Sequence, residues 1–511
     1  MAETSEAVSN ELAALDLGSN SFHLIVARHQ NGRVQIIDRL KEMVRLAGGI
    51  DENGNLSPAA MERALASLSR ISQRLQPLAQ HNVRVVGTNT LRRARNVRTF
   101  IARAEATLGH RIEVISGREE ARLIYAGVCY ALAPTGEGRF VVDIGGGSTE
   151  LILGRDRTPH TMESLHMGCV SFSERFFPEG RIRPRRFEAA LLAARQELEP
   201  LEATFRARGW DTAIGASGTV LAIRDVAAAL GQSSGDITMT ALGRIKRELL
   251  QANDVTELEL PELAAERAQV LPGGLAILTA VMTALGIERL HVSDAALREG
   301  LLLDLIGRAQ QQDQRDRSIE DLARRYHVDL EHANRVRETA AHLLGCVSEA
   351  WRLTDPQWAK LLGWAAITHE IGTDIAHNQY HKHGYYLLLN MDLSGFSKDD
   401  QRRLALLVRS HRRKFPIAEF TTVPNDERDR LMRLAALLRI AVVLRRNRTA
   451  DSEPPVTAVA ADHELKLTFA SHWLDSRPLT SLDLAQEQDY LAALPLTLSF
   501  AGMAELAVTT D

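Results

Sequence analysis

The chain has 511 residues, a formal net charge of −4, 45% hydrophobic residues and 25% charged residues. This length predicts three or four domains, and the composition excludes a disordered chain and a protein built to coat nucleic acid. The three cysteines, Cys129, Cys169 and Cys346, are too few and too scattered for a disulfide framework or a cysteine-based zinc site. We therefore expect a cytoplasmic protein, compatible with peripheral association with a membrane.

We expect neither a secretory signal nor a membrane-spanning segment in this sequence. Residues 1–10 carry two glutamates and no basic residue, so they do not match a secretory signal. The longest uncharged stretch, residues 268–287, contains Pro272, Gly273 and Gly274, which leave an apolar part shorter than the ~20 residues of a membrane span. We expect these three residues to break the stretch, a buried helix rather than a membrane span, and a soluble protein.

The first part of the chain alternates β-branched runs with helical patterns. Short strands are predicted at 34–37, 83–87, 112–115, 140–143, 212–215 and 290–292, and a helix at 58–78. This alternation is typical of α/β folds. We expect two domains, residues 1–125 and 126–307.

The rest of the chain follows a charged seam at residues 308–318. Apolar spacings of three and four predict helices at 321–326, 331–351, 356–371 and 401–411, hence an all-α domain over 318–450. A second seam at 449–457 precedes predicted strands at 465–469 and 496–500. We expect a small α+β domain over 457–511.

An internal repeat is the most informative feature of the first part. The segment DLGSNSFHLIVAR at 16–28 matches DIGGGSTELILGR at 143–155, 127 residues later, with six identities. A duplicated domain explains this match.

Each copy places an aspartate at the end of a strand and then turns through small residues. Such a turn exposes backbone N–H groups to an anion, which predicts two phosphate-binding loops. The carboxylates repel phosphate unless a divalent cation lies between them, so Asp16, Asp143 and Glu150 are candidate ligands of Mg²⁺ or another divalent cation. The alternative for a single copy is a hairpin turn with a capping aspartate.

Further motifs give the chain a resemblance to a known family. They are GTNTLR at 87–92, SGREEARL at 116–123, MGCVSF at 167–172, AIGASGT at 213–219 and SDAALREG at 293–300, together with the two repeated loops. The loops resemble those of the actin, Hsp70 and sugar-kinase superfamily. The full set resembles the exopolyphosphatase and guanosine pentaphosphate phosphohydrolase family.

The resemblance implies two actin-like (ribonuclease H-like) domains, a homodimer, and metal-aided hydrolysis of a terminal phosphoanhydride. It also implies that Glu120 is the catalytic glutamate. The residues themselves agree, because Ser116 and Glu119 fit a capping box and leave Glu120 free to orient or deprotonate water. The alternative is an ordinary glutamate on a helix surface.

Phosphate-binding candidates come from the loops and from nearby cations. Arg92, favoured over Arg93, follows Thr88 after a predicted strand, where a guanidinium binds phosphate oxygens in a bidentate manner. Arg267 is a second candidate, and the alternative for either Arg93 or Arg267 is a solvated surface residue. The remaining candidates are Ser19, Asn20, Ser21, Gly145, Gly146, Gly147, Ser148, Ser217, Gly218 and Thr219.

The helical region carries many histidines: His342, His369, His377, His381 and His383. Their spacing is similar to that of HD-type hydrolases, which bind divalent metals. Glu370 stands where that pattern has aspartate, and residues 440–442 lack the closing carboxylate. We therefore expect an HD-like fold without a metal site, with the histidines in the core or in a groove.

The near-neutral net charge conceals an uneven distribution. Residues 401–450 contain 13 Lys and Arg against four Asp and Glu, a balance of +9, whereas residues 451–511 have a balance of −8 and residues 1–400 of −5. One hypothesis is a groove that binds a long polyanion. Its residues would be Arg402, Arg403, Arg409, Arg412, Arg413 and Lys414. The alternative is a solvated helix face paired with the acidic tail.

Our sequence-based interpretation is an exopolyphosphatase that processively releases orthophosphate from inorganic polyphosphate, because the large basic C-terminal region favours the longer polymer. The alternatives are hydrolysis of guanosine pentaphosphate to the tetraphosphate, and a non-enzymatic module that binds a polyanion or nucleotide. No adenosine pocket or acceptor site for a kinase is visible, and no specific nucleic-acid partner is expected.

Overall fold

The computed structural model describes residues 11–30, 33–130, 132–232, 235–310, 312–449 and 453–502. Two compact units divide the chain, residues 1–313 and 314–511. This division falls inside the charged seam predicted at 308–318. Residues 1–10, residues 450–452 of the second seam and residues 503–511 of the predicted tail domain lie outside the described residues. Across the described ranges, no helix has both the length and the hydropathy needed to cross a membrane.

The first sheet has five strands in the order β3-β2-β1-β4-β5. They are β1 (Glu11–Leu17), β2 (Ser21–Gln30), β3 (Arg33–Met43), β4 (Val83–Gly87) and β5 (Ile112–Val114). The helices of this part are α1 (Pro58–Leu75), α2 (Asn89–Arg93), α3 (Val97–Leu108) and α4 (Gly117–Tyr130), with 3₁₀ turns at Ala47–Gly49 and Gln80–Asn82. The apolar face of α1 is buried over the sheet, as its helical spacing requires.

The second sheet has six strands in the order β10-β11-β9-β6-β7-β8. They are β6 (Gly138–Ile144), β7 (Thr149–Arg155), β8 (Thr158–Leu165), β9 (Thr212–Ala216), β10 (Ile237–Thr238) and β11 (Arg289–Val292). Its helices are α5 (Cys169–Phe176), α6 (Pro184–Arg208), α7 (Ser217–Ala229), α8 (Met239–Ala252), α9 (Ala265–Ala268), α10 (Leu271–Leu285) and α11 (Leu297–Ala309). Single 3₁₀ turns lie at Pro178–Gly180 and Val255–Glu257.

The two sheets confirm the duplication that the repeat predicts. In the first, β1 pairs antiparallel with β2 and parallel with β4. In the second, β6 pairs antiparallel with β7 and parallel with β9. Both therefore begin with the same antiparallel hairpin and continue with the same parallel neighbour, so the repeated motifs occupy equivalent hairpins.

Helices α4 and α11 pack together closely enough to require glycine. A Cβ on Gly127 or on Gly300 would overlap backbone atoms of the opposite helix. Asp304 of α11 accepts hydrogen bonds from Arg84 of β4 at 2.6 Å and from Arg122 of α4 at 2.5 Å. Burial alone would raise the pKa of Asp304, but its arginine partners hold that pKa well below the usual range. This buried ion network fixes α4, and with it Glu120.

The second unit is helical and ends in a small sheet. Its helices are α12 (Gln314–Arg325), α13 (Leu330–Val347), α14 (Pro356–Thr368), α15 (Tyr380–Asn390), α16 (Lys398–Ser410), α17 (Ile417–Phe420), α18 (Asn425–Leu444) and α19 (Pro478–Leu491), with a 3₁₀ turn at Ile371–Asp374. The sheet has the order β12-β13-β14, with β12 (Val456–Ala461), β13 (Glu464–Phe469) and β14 (Thr497–Gly502). One apolar core runs through helices and sheet alike. The predicted boundary near 450–457 thus divides the sequence pattern, while the packing is continuous.

Two elements differ from the sequence-based expectation. Pro272, Gly273 and Gly274 do not break a helix, because α10 begins at Leu271 and the proline lies in its first turn, where no N–H is needed. The helix is buried, as predicted. Helix α18 was not predicted, because it is buried on nearly all sides and lacks the amphipathic spacing on which the other predictions depend.

Candidate active site

The two repeated loops are hairpin connections at equivalent strand ends. Asp16 is the penultimate residue of β1 and lies opposite His23 of β2. Asp143 is the penultimate residue of β6 and lies opposite Glu150 of β7. The predicted hairpins are therefore present. The capping role is not seen for Asp16, whose Oδ1 atom is buried without a hydrogen-bond partner.

The two loops pack directly against each other. A Cβ on Gly146 would lie 3.0 Å from Cβ of Ser19, and a Cβ on Gly147 would lie 2.6 Å from Oδ1 of Asn89. The Thr90 hydroxyl donates to Oγ of Ser19 at 2.8 Å. Glycine at these positions therefore allows the two predicted phosphate loops to face one cavity.

That cavity is a cleft of about 820 Å³ within the first unit. It brings together fifteen of the predicted residues. They are Asp16, Ser19, Asn20, Ser21, Thr88, Glu120, Asp143, Gly145, Gly146, Gly147, Ser148, Ser217, Gly218, Thr219 and Arg267. Arg92 and Glu150 are not among the described residues that line the cleft, and both lie just behind it.

Carboxylates that surround the cleft repel one another. Burial, followed by the nearby charge of Glu120, raises the pKa of Asp16 to about 8 and that of Asp143 to about 7. Burial and the same neighbours raise the pKa of Glu150 well above its usual value, although it accepts a hydrogen bond from Ser164 at 2.8 Å. Three acidic side chains with raised pKa values, together with the nearby Glu120, form a site where a cation would be favoured.

Glu120 is held in place by an arginine. It lies in the first turn of α4, is 8% exposed, and accepts a hydrogen bond at 2.7 Å from Nη1 of Arg92. The same nitrogen donates to the backbone oxygen of Ile115 at 3.0 Å. The sequence led us to expect Arg92 on phosphate, whereas here its guanidinium orients Glu120. We therefore treat Arg92 as a positioning residue.

Glu119 has a different role from its neighbour. Its backbone N–H donates to Oγ of Ser116 at 3.2 Å, which is one half of the predicted capping box. Its carboxylate accepts two hydrogen bonds from Arg122, each at 2.8 Å. Glu119 thus belongs to the ion network that anchors α4, so the two adjacent glutamates have different roles.

The junction of β9 and α7 lies against a cation of the cleft, Arg267 of α9. Ser217 has a φ of 91°, a conformation that side-chain-bearing residues rarely adopt. The backbone of Gly218 lies so close to the Arg267 guanidinium that any Cβ there would overlap it. A side chain at position 218 would therefore displace the Arg267 guanidinium from its place in the cleft.

Among the lining residues that belong to motifs noticed in the sequence but were not singled out as site candidates, three have nitrogen-bearing side chains: His23, Asn89 and Arg298. Burial, and then the charges of Arg298, Lys41 and Arg267, lowers the pKa of His23 to about 3, so it is neutral. Its Nε2 lies 2.6 Å from the Ser21 hydroxyl. The signal that could have identified these three residues is their position inside the DLGSNSFH, GTNTLR and SDAALREG motifs.

The basic stretch of the second unit is largely paired within that unit. Arg403 contacts Glu427 and Arg409 contacts Glu419, while Arg402 pairs with Asp399. The buried Arg439 forms a two-pronged pair with Glu487 of α19 at 2.6 and 2.9 Å. Arg439, which is not one of the groove candidates, thus pairs with the acidic tail, whereas the pairs of Arg402, Arg403 and Arg409 are with carboxylates of the helical region.

The remaining candidates for a polyanion groove have mixed surroundings. The Arg412 guanidinium stacks on the ring of Tyr380, with 4.4 Å between the guanidinium carbon and the ring centroid. Arg413 and Lys414 are exposed. The groove itself stays a prediction.

Family models match both halves of the chain. The model of the Ppx/GppA phosphatase family matches residues 25–309, and that of Ppx/GppA phosphatase, domain III, matches residues 314–488. These matches agree with the predicted fold class: duplicated actin-like domains, a helical domain and a small α+β end.

Curated relatives are similar over nearly the whole chain. The guanosine-5′-triphosphate,3′-diphosphate pyrophosphatase of Aeromonas hydrophila is 41% identical over 475 residues, which covers 93% of this chain and 95% of the relative. The protein of the same name from Vibrio cholerae is 41% identical over 486 residues, with coverages of 94% and 97%.

A solved structure provides the fold comparison. The crystal structure of an exopolyphosphatase from Cytophaga hutchinsonii is similar with a TM-score of 0.53 and 25% identity, covering 58% of this chain and 98% of that one. Matched models over most of its length, together with relatives at 41% identity, show that the chain belongs to the Ppx/GppA phosphatase family.

Proposed function

We propose that the chain hydrolyses the terminal phosphoanhydride of guanosine 5′-triphosphate 3′-diphosphate, yielding orthophosphate and the 3′,5′-bis-diphosphate. The observation that carries the choice of substrate is the 41% identity to pyrophosphatases named for that nucleotide, across 93% of this chain. This favours the alternative of the sequence analysis over its first choice, inorganic polyphosphate. A non-enzymatic binding module is disfavoured by membership of a phosphatase family.

The cleft supports the binding of a terminal phosphate. Small residues make up the two hairpin loops, and this leaves backbone N–H groups accessible to an anion. Arg267 and Arg298 add positive charge to the same cavity. In phosphoryl transfer most of the rate enhancement comes from positioning and charge stabilisation, which are the contributions that such a cleft supplies.

Glu120 is the proposed catalytic residue. Its carboxylate would accept a hydrogen bond from a water molecule and orient the water oxygen toward the terminal phosphorus. A new P–O bond then forms as the bridging P–O bond breaks, the nucleotide diphosphate keeps the bridging oxygen, and Glu120 takes up the proton. Arg92 supports this step by fixing the carboxylate through its 2.7 Å hydrogen bond.

Neutral His23 contributes without adding charge. Because its pKa is lowered to about 3, it does not compete with Arg267 and Arg298 for the anion. Its Nε2 contacts the Ser21 hydroxyl at 2.6 Å, so it orients a hydroxyl of the first loop. We assign His23 a positioning role in this loop.

The donor set also fits a divalent cation such as Mg²⁺. Asp16 presents a buried oxygen without a partner, and Asp143 and Glu150 have raised pKa values beside it. Mg²⁺ is usually held by one or two carboxylates together with phosphate oxygens and water. These residues would hold the ion, which supplies charge neutralisation between the acidic side chains and the substrate.

Inorganic polyphosphate is a second candidate substrate. It presents the same terminal phosphoanhydride, and the similar solved structure from Cytophaga hutchinsonii is named an exopolyphosphatase. The two candidates place different demands on the rest of the cleft, since only the nucleotide carries a guanosine. A homodimer, implied by the family resemblance, stays a prediction that light scattering on the purified chain would test.

A direct competition tests the substrate. We expect kcat/KM for guanosine 5′-triphosphate 3′-diphosphate to exceed that for polyphosphate, expressed per chain end, by at least about tenfold, or 1.4 kcal/mol. Orthophosphate release measured on both substrates under identical salt and Mg²⁺ gives the ratio. A ratio that favours polyphosphate would reverse the assignment and support the groove hypothesis at Arg413 and Lys414.

A further inference from the structure

Four buried histidines meet inside the helical unit, each from a different segment. His332 is the third residue of α13, His369 follows α14, His381 lies in α15 and His411 follows α16. None is more than 4% exposed. The ring centroids of His332 and His369 are 5.8 Å apart, those of His369 and His411 are 5.3 Å apart, and those of His381 and His411 are 6.3 Å apart.

The hydrogen bonds of two of these rings define where their lone pairs point. Nδ1 of His369 lies 2.7 Å from the backbone oxygen of Ala366, and Nδ1 of His411 lies 2.6 Å from that of Val408. A carbonyl oxygen only accepts, so each Nδ1 carries the proton and each Nε2 carries a lone pair. Both Nε2 atoms are buried, and neither has a hydrogen-bond partner among the residues that the structure describes.

The other two rings show the same deficit. Nδ1 of His332 and Nδ1 of His381 are also buried without a partner. Leaving a buried polar atom unsatisfied costs about 1–3 kcal/mol, and four such atoms close together are not expected of an ordinary apolar core. The cluster therefore holds lone pairs on His369 and His411 for which the described residues offer no donor.

Acidic and basic groups border the cluster. One potential ligand atom from each of His332, His369 and Glu370 lies within 4.8 Å of the other two. In the part of the chain that the structure describes, no other group of three or more His, Cys, Asp or Glu side chains is so placed. Glu370 also pairs with Arg448, which in turn contacts Asp329 at 3.3 Å. The charge of Arg448 is thus shared between two carboxylates.

We propose that His332, His369 and Glu370 bind one divalent transition-metal ion of the zinc class. Imidazole nitrogens suit zinc, cobalt and nickel, and three protein ligands with a water in the fourth position suit the tetrahedral geometry of zinc. The backbone carbonyl of Ala366, which accepts from Nδ1 of His369, is the outer partner that a metal-binding histidine usually has.

This site departs from the sequence-based expectation of a metal-free helical domain. That expectation depended on the missing carboxylate at residues 440–442, whereas the three proposed ligands come from the start of α13 and from the segment that follows α14. It also started from His342, whose Nε2 lies 2.7 Å from the backbone oxygen of Val456, away from the cluster. His332, which lies at the start of α13, was not singled out as a candidate ligand.

Metal titration of the untagged full-length chain tests the proposal. After chelator treatment and desalting, we expect one equivalent of Zn²⁺ or Co²⁺ to bind per chain, with a visible Co²⁺ spectrum typical of tetrahedral nitrogen and oxygen ligands and a rise in the unfolding temperature. The variants His332→Gln and His369→Gln should each weaken this binding by more than about 100-fold, beyond the effect of losing an outer partner. His383→Gln, on α15 but outside the cluster, is the matched control and should bind as the wild type.

Glu370→Gln guards against misfolding, because Glu370 is only partly buried and its loss leaves the core histidines in place. If His369→Gln does not fold, weakened binding in Glu370→Gln supports the site. The proposal is overturned if the wild type binds no equivalent of either metal. It is also overturned if Glu370→Gln and every folded histidine variant bind metal as the wild type does.

Discussion

Replacing Asp16 by asparagine removes a charge from the most crowded part of the cleft. The pKa of Asp16 is raised from 3.8 to about 8 by burial and by Glu120, so the folded chain keeps a proton there that the unfolded chain has released. In the window between pH 4 and pH 8 the folded state binds more protons. The stabilising contribution is complete below pH 4 and is lost as the pH rises through 8.

The variant escapes this loss because asparagine carries no charge at any pH. One pKa unit corresponds to about 1.4 kcal/mol, so between pH 5 and pH 9 the stability of the variant relative to wild type should grow by on the order of 4 kcal/mol. For a unit of this size that corresponds to a relative gain in unfolding temperature of roughly 6 °C.

Thermal unfolding followed by circular dichroism at pH 5, 7 and 9, with EDTA present, measures this difference. Asp38→Asn is the control, since Asp38 lies on β3 of the same sheet and its side chain is 39% exposed. Its stability relative to wild type should not change with pH. A difference between Asp16→Asn and wild type that is constant or shrinks as the pH rises would refute the buried-charge argument.

Three further outcomes are expected. Gly218→Ala should displace the guanidinium of Arg267 and raise KM for the nucleotide about tenfold, measured by steady-state phosphate release; an unchanged KM would mean that Arg267 does not bind substrate. Arg439→Ala should destabilise the second unit by about 3–5 kcal/mol because it leaves Glu487 buried without its partner. Arg446→Ala, which removes an exposed ion pair, should lower the free energy of unfolding by less than about 1 kcal/mol. A denaturant titration of both arginine variants measures the two values. EDTA should abolish activity, and the apparent affinity for Mg²⁺ should rise between pH 6 and pH 8 as the two strand-end aspartates, with pKa values of about 8 and 7, lose their protons; a pH-independent affinity would contradict these carboxylates as ligands.

Much of the first unit could be predicted because its signals are local. The repeat at Asp16 and Asp143 reports a pair of hairpins, and the hairpin register places both aspartates at matching strand ends. Small residues around them are required by close backbone packing, so the loops were recognisable as loops. Strand β4 was predicted to the residue for the same reason, being a short β-branched run that ends at Gly87.

The parts that escaped prediction depend on contacts distant in sequence. Arg92 turns to Glu120, 28 residues away, and nothing in the GTNTLR motif states which acidic group its guanidinium will meet. Arg439 pairs with Glu487, which lies 48 residues later in the sequence. The basic stretch considered alone therefore resembled an anion-binding surface. Helix α18 gave no amphipathic pattern because it is enclosed by its neighbours.

The choice between substrates was of a different kind. Both carry a terminal phosphoanhydride, so the cleft residues that touch the reacting phosphate are the same for either. The charge of residues 401–450 favoured a long polymer, but pairs such as Arg409 with Glu419 neutralise part of that charge within the unit. Identity across nearly the whole chain, rather than any residue of the cleft, favours the nucleotide.

Orthophosphate release from guanosine 5′-triphosphate 3′-diphosphate by the wild type, Glu120→Gln and Glu163→Gln tests the central claim most directly. Glu163 lies on β8 and pairs with Arg118, so its variant controls for the loss of a carboxylate outside the cleft. We predict that Glu120→Gln lowers kcat by roughly 10²–10⁴, the range for a general base, while Glu163→Gln is active. Wild-type release no faster than in buffer would contradict the enzymatic assignment, and a Glu120→Gln variant as active as the wild type would contradict the role of Glu120.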